Sequence, residues 1–335
     1  LLLLGSIALM TTCTPTKEST IDTTLQTKVD SILQNKMSEI GAISGQAIVM
    51  EVQTGEIKAM VGIANSQESG LIRTASLLAA LETGKIKLSD TVDVGEGVYE
   101  IHNRELLDHN WHRGGYGKLT TLQGLMVNSH IANYKNIERA FTEEQAYFDM
   151  LDKMSYGQPE NIEGLDDLKA AHFITPNDSG WSNTSLAWFC IGYNQRISPI
   201  QMLTFYNAIA NNGKMVKPTL YKGETEVINP QIASKANIDS LQMALVKVVT
   251  EGLGKPAQSE KVQVAGVSGG SQISTDEDNS EGRVNTIYSV EYCGYFPAEN
   301  PKYSIIVSMN KVGLPASGNL MAGSVFKEIV DYMTK

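Results

Sequence analysis

Arg73 is the first residue of this chain whose type and position need a chemical explanation. It lies in the first turn of a predicted helix over residues 67–84, whose other positions are apolar on nearly every side. A helix without a polar face is typical of the middle of a large domain, and Gly84 is suited to end it. A buried guanidinium needs a partner or a route to water. We therefore expect the start of this helix to line a cleft, where Arg73 pairs with an acidic group or binds an anion.

Three serines and one histidine could supply acyl-transfer chemistry. Ser69, Ser129 and Ser268 each carry a hydroxyl, and His130 directly follows Ser129. A serine becomes a nucleophile when a general base removes its proton, and histidine is a base by type. A single histidine is more often a structural hydrogen-bonding residue, and a base without a nucleophile within reach catalyses nothing. We favour the structural role for His130 and keep a rearranged serine site as the alternative.

Helices and strands alternate along the chain in an order that can hold these residues in one domain. Apolar residues at helical spacing predict an amphipathic first helix, and two apolar runs around a Thr-Gly turn predict a hairpin. A long helical and irregular middle, three late strands and a closing helix follow. These elements are predicted at residues 20–39, 47–63, 87–189, 261–309 and 321–333.

The first motif that identifies a family lies at the start of the predicted 67–84 helix. In the transpeptidase domain of penicillin-binding proteins, Glu-Pro-Gly-Ser-x-x-Lys precedes an apolar helix that ends Ala-Leu-Glu-x-Gly, and this chain resembles that frame. The family's serine is the nucleophile, and the lysine three residues later takes its proton. Gly70 stands at the serine position and Arg73 at the lysine position. The resemblance therefore implies a site that lacks its usual nucleophile and base.

Two further family motifs are altered as well. In the family, Ser-x-Asn passes protons or holds the substrate amide, and Lys-Thr-Gly polarises the cleft and binds the substrate carboxylate. The resemblance places cleft positions of this chain at Asn128, Ser129, His130, Val267, Ser268 and Gly269. Val267 replaces the lysine and removes its charge, whereas Ser268 replaces the threonine and keeps a hydroxyl.

Residues 185–218 carry the strongest resemblance to the family. They contain Ile-Gly-Tyr, then Ser-Pro-Ile-Gln-Met, then Ala-Ile-Ala-Asn-Asn-Gly, in the family's order. Ser198 is a predicted N-cap with Pro199 in the first helical position, and Gly213 is predicted to end that helix. The resemblance covers nearly the whole chain after Ser19. It implies an α/β (α+β) fold of the β-lactamase/transpeptidase type, with an antiparallel sheet flanked by helices and an inserted helical lobe.

The altered motifs favour a non-catalytic member of this family. Such a pseudoenzyme would bind a peptidoglycan stem peptide, or a cell-wall or division protein, through the former cleft. The alternative is an active serine D,D-transpeptidase or carboxypeptidase with a rearranged site that uses Ser69, Ser129 or Ser268. Ser69 would be the nucleophile if the frame were shifted by one residue, but Ile72 would then stand at the base position.

Composition excludes several other functions. The chain has 335 residues and a net charge of −10, and it has no basic stripe, so we expect no nucleic-acid partner. Three histidines near Asp108 lack zinc spacing, and the acidic segment 276–282 lacks the glycine of a calcium loop. We therefore expect no metal and no cofactor. Cys190 and Cys293 lie in apolar contexts and are predicted to be buried thiols.

The N-terminal residues resemble a bacterial lipoprotein signal. Residues 1–10 are apolar and are followed by Thr-Thr and Cys13, the expected lipidation site. An ordinary secretory signal or a clipped membrane anchor is the alternative. We predict a signal segment at 1–13, a tether at 14–19 and the transpeptidase-like domain at 20–335, held in the periplasm by a lipid anchor in the membrane.

Overall fold

The computed structural model describes residues 17–63, 65–273 and 286–335. The predicted signal segment with Cys13, residues 14–16 of the predicted tether and the acidic segment 276–282 lie outside these residues. None of the described helices is long and apolar enough to cross a membrane. The α-helices are α1 (Thr23–Ile40), α2 (Ile72–Glu82), α3 (Thr121–Met126), α4 (His130–Ala140), α5 (Glu144–Lys153), α6 (Ser185–Phe189), α7 (Pro199–Ala210), α8 (Lys235–Thr250) and α9 (Ala322–Met333).

Strands from both ends of the chain form one antiparallel sheet in the order β11, β12, β13, β1, β2. Its strands are β1 (Ala42–Glu51), β2 (Ile57–Ile63), β11 (Ala265–Ile273), β12 (Ile287–Phe296) and β13 (Tyr303–Val312). One row of the register runs from Val267 through Cys293, Ile306 and Ile48 to Met60. The sheet confirms the predicted β1–β2 hairpin and the three late strands, and it puts β11 at an edge.

Helices cover both faces of this sheet. Successive side chains of each strand point to opposite sides, so each face presents side chains against which helices pack. On one face, α1 and α9 pack over residues such as Val49, Tyr292 and Val307. On the other face, α2, α7 and α8 pack over residues such as Ile48 and Ile306. The predicted α/β architecture with helices on both faces is confirmed.

The inserted lobe differs from the prediction of a mainly helical middle. It contains α3 to α6, but also short strands paired as two-stranded sheets. These strands and those of the neighbouring loops are β3 (Thr91–Gly95), β4 (Val98–Ile101), β5 (Arg104–Leu107), β6 (Gly117–Thr120), β7 (His172–Phe173), β8 (Gln195–Arg196), β9 (Met215–Val216) and β10 (Val227–Asn229). Pattern alone missed them because each is only two to five residues long.

The helix at the centre of the molecule, α2, begins five residues later than predicted. Gln67 and Ile197 exchange backbone hydrogen bonds of 3.0 Å in both directions, which keeps the chain before α2 extended. Every residue from Ile72 to Leu81 is buried, as expected for a helix without a polar face. Gly84 then adopts a left-handed φ of 70°, the conformation predicted for the end of this helix.

Side-chain caps fix the starts of α3 and α7. Thr120 caps α3 and Ser198 caps α7, each in a reciprocal capping box with the glutamine three residues on. Ser198 and Pro199 occupy their predicted positions. Cys190 and Cys293 are buried free thiols, as predicted.

Candidate functional site

Three segments that are distant in the sequence meet at one cleft of about 770 Å³. The first turn of α2 contributes Arg73, the turn into α4 and the first residue of α4 contribute Asn128 and His130, and β11 contributes Ser268 and Gly269. Five of the positions expected from the motifs therefore line the same space. The expectation that the start of α2 borders a cleft is correct.

Two other expected positions lie behind this surface. Ser129 is only 1% exposed and borders, with Arg73 and Asn128, a separate cavity of about 10 Å³. Val267 is buried in the apolar core on the α2 face of the sheet. A valine suits that environment, and the charge that a lysine would bring there is absent.

Gly70 packs directly against the backbone of β11. A Cβ atom built on Gly70 would lie 2.6 Å from the Gly270 oxygen, 2.9 Å from the Gly270 nitrogen and 3.0 Å from Arg73 Nη1. The approach is equally close from the β11 side, because a Cβ atom built on Gly269 would lie 2.8 Å from the Leu71 nitrogen. The space that a side chain of residue 70 would need is filled by β11 and by Arg73.

Arg73 is a buried cation with few partners. It is 4% exposed, and its Nη2 donates one long hydrogen bond of 3.4 Å to the Ser268 carbonyl. Its Nε and Nη1 have no hydrogen-bond partner in the described part of the chain. Burial lowers the pKa of Arg73 to about 10, against the opposing influence of Tyr206 and Glu291, so the side chain stays protonated at neutral pH.

The predicted ion pair of Arg73 is not found. Among the carboxylates that the structure describes, none forms a salt bridge with this guanidinium. Glu291 and Asp108 are the carboxylates whose charges act on the Arg73 pKa. Each of them accepts a hydrogen bond from a serine, Ser69 and Ser129 respectively. Binding of an anion by Arg73 stays a prediction.

Ser129 is the N-cap of α4. Its hydroxyl accepts a hydrogen bond from the Ala132 amide at 3.0 Å and donates one to Asp108 Oδ2 at 2.7 Å. Asp108 is fully buried and also accepts from the Ile131 amide at 3.1 Å. Ser129 is therefore engaged in holding the helix start, and its neighbour Asn128, with a left-handed φ of 60°, forms the turn into it.

His130 has the structural role that was favoured. Its Nδ1 lies 3.0 Å from the Leu107 carbonyl oxygen. A carbonyl only accepts hydrogen bonds, so Nδ1 carries the proton and Nε2 has the lone pair. Burial, with a further effect of the Arg73 charge, lowers the pKa of His130 to about 3. A group so weakly basic is a poor general base at neutral pH.

Ser69 is paired with a carboxylate that the motifs did not reveal. Its hydroxyl donates a 2.6 Å hydrogen bond to Glu291 Oε2, and both residues are 2% exposed. Burial raises the pKa of Glu291. The backbone of Ser69 is also fixed, since its amide donates to the Gly192 carbonyl and its carbonyl accepts from Gln195. Ser69 lies inside the protein and is not among the residues that line the cleft.

Glu291 is part of a buried polar network under the start of α2. Gln67 Nε2 donates to Ser289 Oγ at 2.9 Å, to Ser308 Oγ at 3.2 Å and to Glu291 Oε1 at 3.3 Å. Asn310 donates to the Gln67 side-chain oxygen at 2.9 Å. Such a network fixes the geometry of the segment that it joins. The sequence did carry one signal for it, because Glu291 is the only charged residue of the apolar run 290–296.

The outer part of the cleft carries His109 and Arg113. His109 Nε2 lies 2.9 Å from the Tyr116 hydroxyl and 3.2 Å from the Val127 carbonyl, so its ring packs within the loop. Within residues 17–63, 65–273 and 286–335, no three His, Cys, Asp or Glu side chains are grouped as a metal site.

Comparison with known families gives one match over most of the chain. The family model of the "Penicillin binding protein transpeptidase domain" matches residues 45–331. Penicillin-binding protein PbpB of Mycolicibacterium smegmatis is 24% identical over 95% of this chain and 54% of its own length. Peptidoglycan D,D-transpeptidase FtsI of Escherichia coli K12 is 22% identical over 91% of this chain and 53% of its own. The chain thus spans about half the length of these relatives.

Solved structures show the same fold. The transpeptidase domain of penicillin-binding protein 3 from Burkholderia pseudomallei has a TM-score of 0.81 at 22% identity, over 94% of this chain and 95% of that one. A structure from Burkholderia ambifaria described as a peptidoglycan glycosyltransferase has a TM-score of 0.80 at 22% identity, over 94% and 96%. At this identity the likeness extends to the fold alone.

Proposed function

The chain belongs to the family of penicillin-binding protein transpeptidase domains, and we propose that it is a member that binds without acylating. In this proposal it is a pseudoenzyme of peptidoglycan metabolism. The former active-site cleft serves as a binding surface, and no serine of the protein forms an acyl intermediate.

The contact between Gly70 and β11 carries this proposal. Residue 70 has no side chain to acylate, and the Gly270 oxygen lies 2.6 Å from the point where a Cβ would begin. A reacting carbonyl must come within about 3–3.5 Å of its nucleophile. Here the backbone of β11 fills that space. This supports a loss of catalysis even if residue 70 carried a hydroxyl.

The residues at the positions of the family's base and of its Lys-Thr-Gly lysine also support a loss of catalysis. Arg73 stays protonated at neutral pH, so it cannot accept a proton from a serine. Val267 lies in the apolar core and supplies no charge. Removing one member of a catalytic unit can lower the rate on the order of a million-fold, and the losses are not additive. Several members are missing here.

Relatives indicate the class of partner. The names of similar proteins describe them as peptidoglycan D,D-transpeptidases and penicillin-binding proteins. A binding protein on the same fold would take a peptidoglycan stem peptide, or a cell-wall or division protein that itself contacts peptidoglycan. The open cleft of about 770 Å³ is large enough for a short peptide.

An active enzyme with a rearranged site is the second candidate, and one observation favours it. The 2.6 Å hydrogen bond from Ser69 to Glu291 joins a hydroxyl to a carboxylate, as a nucleophile is joined to its base. Both groups are enclosed, however, and a substrate carbonyl would have to enter the buried network to reach them. Ser129 is engaged as a helix cap, and His130 is too weak a base to activate Ser268.

Labelling with a fluorescent penicillin distinguishes the two candidates. Purified protein and an active penicillin-binding protein are incubated side by side, denatured and compared on a gel. We expect label on the active control and none on this protein. Covalent label that disappears in only one of Ser69→Ala, Ser129→Ala or Ser268→Ala would support the enzyme and identify its nucleophile.

The cellular location is a separate proposal that rests on residues 1–13. An apolar run ending at Cys13 supports a periplasmic lipoprotein whose lipid holds it at a membrane. Cells given a tagged palmitate analogue should label the wild-type protein and not Cys13→Ala. Equal labelling of both proteins, or labelling of neither, would contradict the lipid anchor.

A further inference from the structure

A second concave surface lies on the inserted lobe. It has a volume of about 650 Å³, and its described lining consists of Glu100, Asn103, Arg104, Glu105 and Trp188. We call it the hairpin pocket, because four of these five residues belong to the β4–β5 hairpin and its turn. None of the five belongs to the described lining of the cleft.

The tight turn of this hairpin fixes an unfavourable pair of charges. His102 and Asn103 both have left-handed φ values, of 48° and 64°, as a two-residue hairpin turn requires. In the resulting register, Glu100 lies directly opposite Glu105. Like charges at directly opposite positions destabilise a strand pair. The fold gains no stability from these two carboxylates, which points to a role in binding.

The charged groups of the hairpin pocket are not paired with one another. Within the part of the chain that the structure describes, Glu100, Arg104 and Glu105 form no salt bridge. In another surface pocket, by contrast, Lys17 pairs with Glu163. The carboxylates and the guanidinium of the hairpin pocket therefore keep their hydrogen-bonding capacity for a ligand.

Trp188 positions Arg104 in this pocket. The guanidinium carbon of Arg104 lies 4.6 Å from the centre of the Trp188 ring, which is a cation–π contact. This contact engages the charge of the guanidinium and no hydrogen-bond acceptor, so its five N–H donors stay available. The Trp188 side chain is half-buried, and its exposed part adds apolar surface to the pocket.

The chemistry of this lining fits a sugar. A sugar hydroxyl both donates and accepts hydrogen bonds, so neighbouring hydroxyls can donate to the carboxylates of Glu100 and Glu105 and accept from Arg104. The Asn103 amide carries both a donor and an acceptor, as does the acetamido group of an N-acetylated amino sugar. The two carboxylates would repel a polyanion.

Both sides of the hairpin pocket lead directly into the cleft. Strand β5 ends at Leu107, two residues before His109, which lines the cleft. On the other side, the Tyr193 amide donates a 3.0 Å hydrogen bond to the Trp188 carbonyl, and Tyr193 also lines the cleft. A polymer with a sugar backbone and peptide branches can therefore lie on the hairpin pocket while one branch enters the cleft.

We propose that the hairpin pocket binds the glycan strand of peptidoglycan, a chain of N-acetylated amino sugars. Glu100 and Glu105 accept hydrogen bonds from its hydroxyls, and Arg104 and Asn103 donate to its oxygens. This inference rests on the proposed role in peptidoglycan metabolism and adds a second binding surface to it. It also gives a reason for the two like charges that face each other on the hairpin.

Calorimetric titration of the full chain with a peptide-free sugar tests the assignment. The probes are tetra-N-acetylchitotetraose, cellotetraose, which lacks the acetamido groups, and tetra-alanine. We expect the double variant Glu100→Gln, Glu105→Gln to bind the acetylated sugar at least about tenfold more weakly than the wild type, because both charged acceptors are lost. Glu96→Gln removes an exposed carboxylate of the same lobe outside the pocket lining, and this matched control should bind like the wild type.

Urea unfolding of the double variant provides a second readout. Since the substitutions remove a like-charge pair, the variant should be at least as stable as the wild type while it binds the sugar more weakly. A clear loss of stability would show that the two carboxylates support the hairpin, and it would overturn their assignment to binding.

Several binding results would also overturn the inference. They are no measurable binding of the acetylated sugar at millimolar concentration, equal affinity of wild type and double variant, or equal weakening in Glu96→Gln. Cellotetraose that binds as tightly would overturn the preference for acetylated sugars, and tetra-alanine that binds as tightly would indicate a peptide site instead. A covalent penicillin adduct would contradict the non-catalytic function and leave sugar binding unaffected, whereas absence of sugar binding would leave the non-catalytic function in place.

Discussion

A side chain at residue 70 should destabilise the protein, and the structure gives the size of the effect. In Gly70→Ala, the new Cβ would lie 2.6 Å and 2.9 Å from the oxygen and nitrogen of Gly270. Gly270 is paired with Val290 in the middle of β11, so the strand cannot withdraw without straining the sheet. Overpacking of this kind costs about 1–3 kcal/mol. Reduced freedom of the unfolded chain offsets about 0.4–1 kcal/mol, which leaves a net loss of up to about 2.6 kcal/mol.

Urea unfolding of Gly70→Ala against Gly223→Ala measures this loss. Gly223 has no atom within 4 Å of a built Cβ, so its substitution changes only the unfolded state and should raise the free energy of unfolding slightly. The two variants should therefore move in opposite directions from the wild type. Equal free energies of unfolding for the two variants would refute the close contact between Gly70 and β11.

Three further predictions concern the groups around the cleft. Burial raises the pKa of Glu291 above its unfolded value, so its contribution to stability is present below that value and is lost as pH rises through the folded pKa. Glu291→Gln should therefore gain stability relative to the wild type as the pH rises above 4.5, the ordinary pKa of a glutamate, and a difference in urea unfolding that stays constant with pH would contradict this. Ser129→Ala removes a helix cap and a partner of buried Asp108, and should lower the free energy of unfolding by about 2–3 kcal/mol, whereas a loss within the error of the measurement would show that the cap is not needed. The His130 ring should not titrate in NMR spectra above about pH 5 because its pKa is about 3, and a midpoint near that of a free histidine would show that the ring is exposed.

Local chemistry was enough to predict many elements of the fold. Ser198 before a proline predicted the start of α7, and the Thr-Gly turn predicted the β1–β2 hairpin, because each depends on contacts within a few residues. The start of α2 was misplaced since Gln67 is held extended by Ile197, a partner far along the chain. Contacts of that range leave no local pattern to detect.

The sequence predicted which residues occupy the candidate site, but not the hydrogen bonds and close contacts among them. Motif order identified Gly70, Arg73 and Ser268, and the structure brings them to the same region of α2 and β11. The hydrogen bond between Ser69 and Glu291 could not be foreseen, because it requires the register of β12 against β11. The close contact between Gly70 and Gly270 likewise depends on how the start of α2 packs against β11, which no sequence pattern reveals.

The packing also bears on attempts to rebuild catalysis. The triple variant Gly70→Ser, Arg73→Lys, Val267→Lys restores the three family residues, yet its serine would have to displace the Gly270 backbone. Lysine at residue 267 would in addition be buried in the apolar core, where an unpaired ammonium is strongly unfavourable. We therefore expect no acylation in this variant either.

Intact-mass spectrometry after incubation with benzylpenicillin tests most directly whether the protein is catalytically silent. The protein is sampled from seconds to hours beside an active penicillin-binding protein, which should gain the mass of one penicillin. We predict an unchanged mass for this protein at every time, because residue 70 has no nucleophile and Ser69 lies buried against Glu291. A stoichiometric adduct on the unmodified chain would contradict the account and establish an active acyl-transfer enzyme.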